Sequence, residues 1–241
     1  MSRPRGYLLD LDGTLISGRR LLPGVAALVA ETGGRFAIVS NDAEHTPHEL
    51  ARLLGRLGLA VEAERIVLAG TTAIDLVAQR HPGARVMLLA GPALERYARR
   101  RGLRLSTGAC DIVVVGRDRR FSYRRLAAAA HAVSLGAKLV LACPDTHHRG
   151  PLGEPVPEVG ALAASILSCA GAGECEVVGK PEPLLFRLGC ERLGLPPQEV
   201  VMIGDNPATD GKGAMRAGMR FLHVLPGDFV EGLGAMERKV A

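Results

Sequence analysis

The chain of 241 residues has no tryptophan, three tyrosines and five phenylalanines, so aromatic residues make up only 3% of it. Proteins that hold single-stranded nucleic acid stack bases on aromatic side chains, and a chain this poor in rings offers no such platform. Its five cysteines (Cys110, Cys143, Cys169, Cys175 and Cys190) are scattered and odd in number. They form no C-x-x-C pair and no cysteine–histidine spacing of a zinc site. Reduced thiols in a cytoplasmic protein are the expectation. No apolar run reaches the roughly 20 residues of a membrane-spanning helix. Met1-Ser2-Arg3-Pro4-Arg5-Gly6 leads into the first apolar run without the pattern of a secretory signal. Neither G-x-x-x-x-G-K-[ST] nor G-x-G-x-x-G occurs, which leaves nucleotide-dependent kinases and dehydrogenases without support. There is no internal repeat and no low-complexity segment.

What is present fits a soluble globular chain of one large or two small domains, with 47% hydrophobic and 23% charged residues. The net charge of +5 comes mostly from arginine. The densest basic run holds Arg96, Arg99, Arg100, Arg101 and Arg104, spaced as on a solvated helix end. A basic surface that attracts phosphorylated small molecules is the second reading of that charge.

The most informative stretch is Tyr7-Leu8-Leu9-Asp10-Leu11-Asp12-Gly13-Thr14-Leu15. An apolar run ends in two aspartates two residues apart, and extended backbone alternates faces with period two, so both start on one side. A strand ending here carries two carboxylates at its carboxyl end, where ligands bind in open α/β sheets. Two like charges so close need a cation or a shared proton, and Mg²⁺ takes oxygen ligands while leaving room for phosphate oxygens. The plain alternative is an Asp-Leu-Asp-Gly turn that only ends a strand.

The rest of the chain separates these readings. Gly13 to Arg20 is expected as a loop. A helix is expected from Pro23-Gly24 to Gly33-Gly34, and a buried strand over 35–39 running into Ser40-Asn41-Asp42. Thr46-Pro47-His48-Glu49 reads as a capped helix start, with Leu50, Leu53, Leu54 and Leu57 on the core side. From about residue 70 the pattern becomes a second βα unit. It has strand-like runs at 86–89, 111–115 and 138–142 and helices at 72–80, 93–101, 123–135 and 159–169, and it closes at a hinge, Ala170-Gly171-Ala172-Gly173. The first pattern then resumes with Glu176-Val177-Val178-Gly179-Lys180-Pro181 and a helix over 184–193. Next come a strand, Val200-Val201-Met202-Ile203, ending in Gly204-Asp205 to Asp210, a weak helix to Gly218, and a last strand over 221–225 before Pro226-Gly227. The expected division is 1–69 plus 175–241 for one domain and 70–174 for an insert. Three strands end in polar clusters, Asp10/Asp12, Ser40/Asn41 and Asp205/Asp210, and in a parallel sheet those ends share one edge that Lys180 can reach.

Asp10-Leu11-Asp12-Gly13-Thr14, Ser40-Asn41, Lys180 in Gly179-Lys180-Pro181, and Gly204-Asp205 to Asp210 resemble, in that order, the four signatures of haloacid-dehalogenase-superfamily phosphatases. Two further stretches are similar to the subclass of p-nitrophenyl-phosphatase and N-acetylglucosamine-operon-type enzymes: Val115-Gly116-Arg117-Asp118 with Phe121-Ser122-Tyr123, and Ala142-Cys143-Pro144-Asp145 with Pro157-Glu158-Val159-Gly160-Ala161. The resemblance implies a doubly wound parallel α/β sheet with an inserted α/β cap domain. It implies a Mg²⁺-dependent phosphatase working through an aspartyl-phosphate. Asp10 is then the nucleophile and Asp12 the general acid and base. Asp10, Asp205 and the backbone carbonyl of Asp12 hold the metal. Ser40, Asn41 and Lys180 bind phosphate, Asp145 reaches the substrate, and Asp210 orients Lys180 or a metal-bound water from behind. The partner implied is a small phosphate ester: glycerol phosphate, a sugar phosphate, a nucleoside monophosphate, pyridoxal phosphate, or p-nitrophenyl phosphate in vitro. Nucleic acid and membrane are not implied, and a homodimer through the cap is. Phosphomutase and non-catalytic phosphometabolite-binding protein are the alternatives.

This chain departs from the family pattern at several places. Ser40-Asn41-Asp42 stands for Thr-Asn-Asn, and Asp42 adds a negative charge next to the site. Cys143 stands for the asparagine of Asn-Pro-Asp, and Glu158-Val159-Gly160 alters the cap. Gly211-Lys212-Gly213 is expected to loosen the turn after Asp210 by roughly 1 kcal/mol per glycine. His45, His48, His147 and His148 read as surface residues, and Arg117 and Asp118 as structural turn residues.

Overall fold

The computed structural model describes residues 4–150, 152–171, 174–225 and 228–232. Ala172 and Gly173 of the expected hinge, and Pro226-Gly227, lie outside the described residues. The chain folds into two α/β units. The first takes in the described parts of Met1–Ser40, Pro47–Val67 and Lys180–Ala241, and the second takes in Asn41–Thr46 and the described parts of Leu68–Gly179.

The first unit is built on five strands in the order Arg220–His223, Val200–Gly204, Gly6–Leu9, Phe36–Ser40, Ile66–Leu68. Tyr7 lies opposite Val201 on one side and Phe36 on the other, both in parallel pairing. Every residue of Gly6–Leu9, Phe36–Ser40 and Val200–Gly204 is buried. Near-continuous apolar runs are what a parallel sheet covered on both faces requires, and these stretches supply them. From Gly6–Leu9 the chain steps outward through Phe36–Ser40. When it returns from the insert it lies on the other side, as Val200–Gly204 and then Arg220–His223. The strand order therefore reverses between Gly6–Leu9 and Val200–Gly204, and a ligand crevice belongs outside the carboxyl ends of the strands at such a point.

The second unit has its own parallel sheet, in the order Cys175–Val177, Lys138–Leu141, Ile112–Val115, Arg85–Leu89, Arg104–Leu105. Helices Ala69–Arg80, Pro92–Arg100, Tyr123–Ser134 and Val159–Ala170 connect and cover it. Asp118 is buried and accepts from the Arg120 backbone N–H at 2.9 Å, with the Arg125 guanidinium 3.0 Å away, so this turn is a structural lock. No helix among the described residues is long and apolar enough to cross a membrane.

Several elements differ from their sequence expectation. Cys175–Val177 does not return to the first unit; it pairs with Lys138–Leu141, and the chain crosses back only at Lys180. A three-residue edge strand with two exposed polar positions carries too little periodicity to reveal its partner. Gly13 to Arg20 is not all loop: Ile16–Ser17 pairs with Arg20–Leu21 as a small hairpin. His147–Arg149 forms a second hairpin with Pro155–Pro157, and His148 Nδ1 lies 2.7 Å from Glu158. Gly211-Lys212-Gly213 does not loosen its turn. Pro207–Gly211 is one π-helical turn that runs into the helix Lys212–Arg216. There the glycines allow close packing: a Cβ on Gly213 would sit 2.3 Å from the buried Phe186 ring and 3.2 Å from the Pro181 carbonyl.

Gly213→Ala is therefore expected to destabilise the fold by about 1–3 kcal/mol, the usual cost of overpacking a dense core, and not to gain the helix propensity of alanine. Urea unfolding measures it; a variant as stable as the parent or more so would contradict the packing argument.

Candidate active site

Asp10 is the first residue past Gly6–Leu9, and Asp205 the first past Val200–Gly204. These strands are neighbours in register, Leu9 opposite Ile203, and the Asp10 N–H donates to the Ile203 carbonyl at 2.9 Å. The reversal of strand order thus places two aspartates side by side. Lys180 comes to them from the start of the segment leading into helix Leu184–Leu193, and Asp210 from the π-helical turn. The Lys180 ammonium donates to Asp10 Oδ1 and, at 2.7 Å, to Asp210 Oδ1. Asp10, Lys180 and Asp210 are all buried.

Two glycines make room for this cluster. Gly13 has φ +83°, a conformation side chains disfavour, and a Cβ there would fall 2.1 Å from Asp205 Oδ2. A Cβ on Gly204 would fall 2.2 Å from Asp210 Oδ2, so only glycine lets Asp210 fold back against the strand end. Asp210 Oδ2 also accepts from the Asn206 backbone N–H at 3.2 Å, and the Asn206 side chain caps the turn by accepting from Ala208 N–H at 2.9 Å.

Burial pulls the Lys180 ammonium down, but the carboxylates of Asp10 and Asp210 outweigh it and hold the ammonium well above its ordinary range. Asp205 is raised above its ordinary value by burial and then by the nearby Asp10 carboxylate. Burial, with Asp10 adding to it, pushes Asp210 up to about 7 against the pull of Lys180. Oxygen atoms of Asp10, Asp205 and Asp210 lie within 4.8 Å of one another. With all three carboxylates ionised, the one ammonium leaves two excess negative charges, the deficit a divalent cation offsets. An all-oxygen donor set suits a hard ion such as Mg²⁺, not zinc or copper.

Of the remaining expected residues, Asp12 is exposed just past the first strand and bridges to Ile16, whose carbonyl accepts from the Gly13 N–H at 2.8 Å. Ser40 is buried at the end of Phe36–Ser40, one strand over from Asp10 on the side away from Asp205. Asn41 and Asp145 belong to the second unit and meet each other, Asn41 Nδ2 donating to Asp145 Oδ2 at 2.9 Å. Asp42 is not a loose negative charge. Its Oδ1 accepts from the backbone N–H groups of Glu44 and His45, both at 2.8 Å, and its Oδ2 lies 2.7 Å from His45 Nδ1. Burial would raise this carboxyl, but His45 and those backbone donors outweigh it and hold it below the ordinary range.

Two residues at the site carry no role in the sequence reading. Thr14 is fully buried, with its hydroxyl 3.3 Å from Asp10 Oδ2 and 3.5 Å from Asp205 Oδ1. Its place four residues after Asp10 in the same motif was the available signal. His223 Nε2 lies 2.9 Å from the Asp205 carbonyl, which only accepts, so Nε2 carries the proton. Nothing in a lone strand-end histidine announces that bond.

Comparison with known proteins follows the same lines. The family model for haloacid dehalogenase-like hydrolases matches residues 7–104, and a second model of that kind matches residues 177–237. The acid sugar phosphatase of Staphylococcus epidermidis is 30% identical over 234 residues, covering 94% of this chain and 88% of that protein. The 4-nitrophenylphosphatase of Thermotoga maritima superposes with a TM-score of 0.86 at 28% identity, over 93% of this chain and 87% of that one. The glycerol phosphate phosphatase of Mycobacterium tuberculosis, solved in complex with magnesium, gives 0.85 at 31% identity, over 93% of this chain and 69% of that one.

The raised carboxyls have a consequence for stability. A group whose folded value lies above its unfolded value of 3.8 stabilises fully below that value and loses the contribution as pH rises toward about 7. Cation-free protein is therefore expected to lose melting temperature over that window, and Mg²⁺ to restore it more at about pH 8 than at about pH 5, where protons still offset the charge. Thermal melts with and without Mg²⁺ at both pH values check this; equal stabilisation at both would contradict it.

Proposed function

This chain belongs to the haloacid dehalogenase-like hydrolase family, as one of its capped phosphatases, and we propose that it is a Mg²⁺-dependent hydrolase of small phosphate monoesters that works through an aspartyl-phosphate on Asp10. The observation that carries the reading is the cluster of Asp10, Lys180, Asp205 and Asp210 where the strand order reverses.

The Asp10 carboxylate attacks phosphorus, the bond from phosphorus to the ester oxygen breaks, and the Asp12 carboxyl gives that oxygen its proton. Asp12 then takes a proton from water, which attacks the phosphorus of the acyl phosphate and returns Asp10. Asp10, Asp205 and the Asp12 carbonyl would hold Mg²⁺, which when bound supplies positive charge to the phosphoryl oxygens. The Lys180 ammonium adds a fixed charge, and the Ser40 hydroxyl a donor. Positioning and charge neutralisation carry most of phosphoryl transfer, and a lysine already held by two carboxylates needs little rearrangement. Asp210 fixes Lys180 from behind. The second unit is the inserted cap domain. Sugar phosphates and glycerol phosphate head the candidates, in line with what the similar phosphatases are named for. Asp42, the ground for a non-catalytic binding protein, spends its charge on its own turn and on His45.

Phosphate release from a panel of esters is expected to need Mg²⁺, to stop in EDTA and to vanish in Asp10→Asn. Asp12→Asn is expected to slow phosphorylation by alkyl phosphates about 10²–10⁴-fold, the usual worth of a general acid, and by p-nitrophenyl phosphate far less, because p-nitrophenolate leaves unaided. Single-turnover kinetics on both esters check the second point, and equal losses would remove Asp12 from the acid's role.

A further inference from the structure

The chain crosses between its two units at Ser40–Asn41, Thr46–Pro47, Val67–Leu68 and Gly179–Lys180. Two of these crossings have a phosphate-binding candidate as their first-unit residue, Ser40 and Lys180. Their second-unit residues, Asn41 and Gly179, lie far apart in sequence and pack on each other. A Cβ on Gly179 would sit 2.5 Å from Asn41 Oδ1, 2.5 Å from the Ala142 carbonyl and 3.0 Å from Cys143 Cβ. The Gly179 N–H donates to the Ala142 carbonyl at 2.7 Å. On its other side Asn41 donates to Asp145 at 2.9 Å.

The loop that carries Asp145 is itself fixed. Gly160 N–H donates to the Asp145 carbonyl at 2.7 Å, and a Cβ on Gly160 would fall 2.2 Å from the Pro144 carbonyl. Cys143, two residues before Asp145, is buried. A loop gripped in this way is suited to holding a neighbour in place.

We propose that Asn41, Asp145 and Gly179 form a clasp that ties the two crossings together and so sets Ser40 and Lys180 in position as a pair, with Asn41 as a positioning residue. The inference rests on the reading of Ser40 and Lys180 as binders of the transferring phosphoryl group. Each of them is one peptide bond from a clasp member. A displacement of Asn41 is therefore passed to both, and the loss should appear as weaker phosphate affinity and slower turnover together. Direct substrate recognition by Asp145 predicts something else: loss of the carboxylate at 145 hurts whatever stands at 41.

The two readings separate in a polarity swap. Asn41→Asp sets two carboxylates against each other, Asp145→Asn leaves an amide pair that can still bond, and the double variant restores donor and acceptor in reverse. Inorganic phosphate affinity, by calorimetry in Mg²⁺, and kcat and KM for one ester are measured for all three and for the parent. Asn41→Asp is expected to lose about tenfold or more in phosphate affinity and in kcat/KM, as for a broken charge-assisted hydrogen bond, and Asp145→Asn less than that, because its amide oxygen still accepts from Asn41. The double variant should recover most of the loss. A double variant no better than Asn41→Asp, or an Asn41→Asp that binds phosphate like the parent, would overturn the clasp. If Asn41→Asp does not fold, Asn41→Ser takes its place; unchanged phosphate affinity there would overturn the clasp equally. A parent protein that turns over no ester would overturn the phosphatase reading instead, and its phosphate titration would still report on the clasp.

Discussion

The buried ammonium of Lys180 between Asp10 and Asp210 is the interaction on which the rest of the site depends. An unpaired lysine at this depth would shed its proton, and three carboxylates without it would repel one another. Each partner comes from a different part of the chain: a strand end, the lead into a helix, and a π-helical turn. The cluster therefore exists only when the parallel sheet has formed and its order has reversed. Gly13 and Gly204 remove the side chains that would otherwise collide with Asp205 and Asp210. The two negative charges left over make the arrangement incomplete as a purely protein structure. That incompleteness is what couples the fold to a divalent cation and to the anionic group the site would transfer.

The physical logic of the first unit can be traced back from that point. The central strands are fully buried and pair in parallel, as in a sheet covered on both faces. Leaving the first strand in one direction and returning on its other side places Asp10 and Asp205 on neighbouring strand ends. The catalytic proposal adds nothing to this geometry except the chemistry of carboxylates, an ammonium and a hydroxyl.

Much of this was legible in the sequence, because the elements that matter most are long, apolar and end in polar clusters. The strand ending at Asp10, the helix over 184–193 and the strand ending at Gly204-Asp205 have strong periodicity or runs and clear stops. Lys180 was legible as a lysine beside a proline at a helix approach. The misses have physical causes. Cys175–Val177 is a short edge strand, and no pattern within three residues says which sheet it joins. Gly211 and Gly213 read as flexible because propensity counts backbone freedom and cannot see the Phe221 and Phe186 rings that fill the space beside them. Asp42 read as a loose charge because its acceptors are used up by Glu44 and His45, two and three residues on, a matter of local geometry. Thr14 was in view as part of the motif, yet its contact with both Asp10 and Asp205 depends on strands nearly two hundred residues apart in the chain.

The most direct test of the account is chemical trapping of the covalent intermediate. Protein mixed with ³²P-labelled substrate and Mg²⁺ is quenched in acid within the first turnover, and label on the chain is followed by peptide mapping. The account predicts transient label on the peptide that contains Asp10, stable in acid, released by hydroxylamine and absent from Asp10→Asn. Turnover with no labelled protein at any time, or label on another residue, would contradict it.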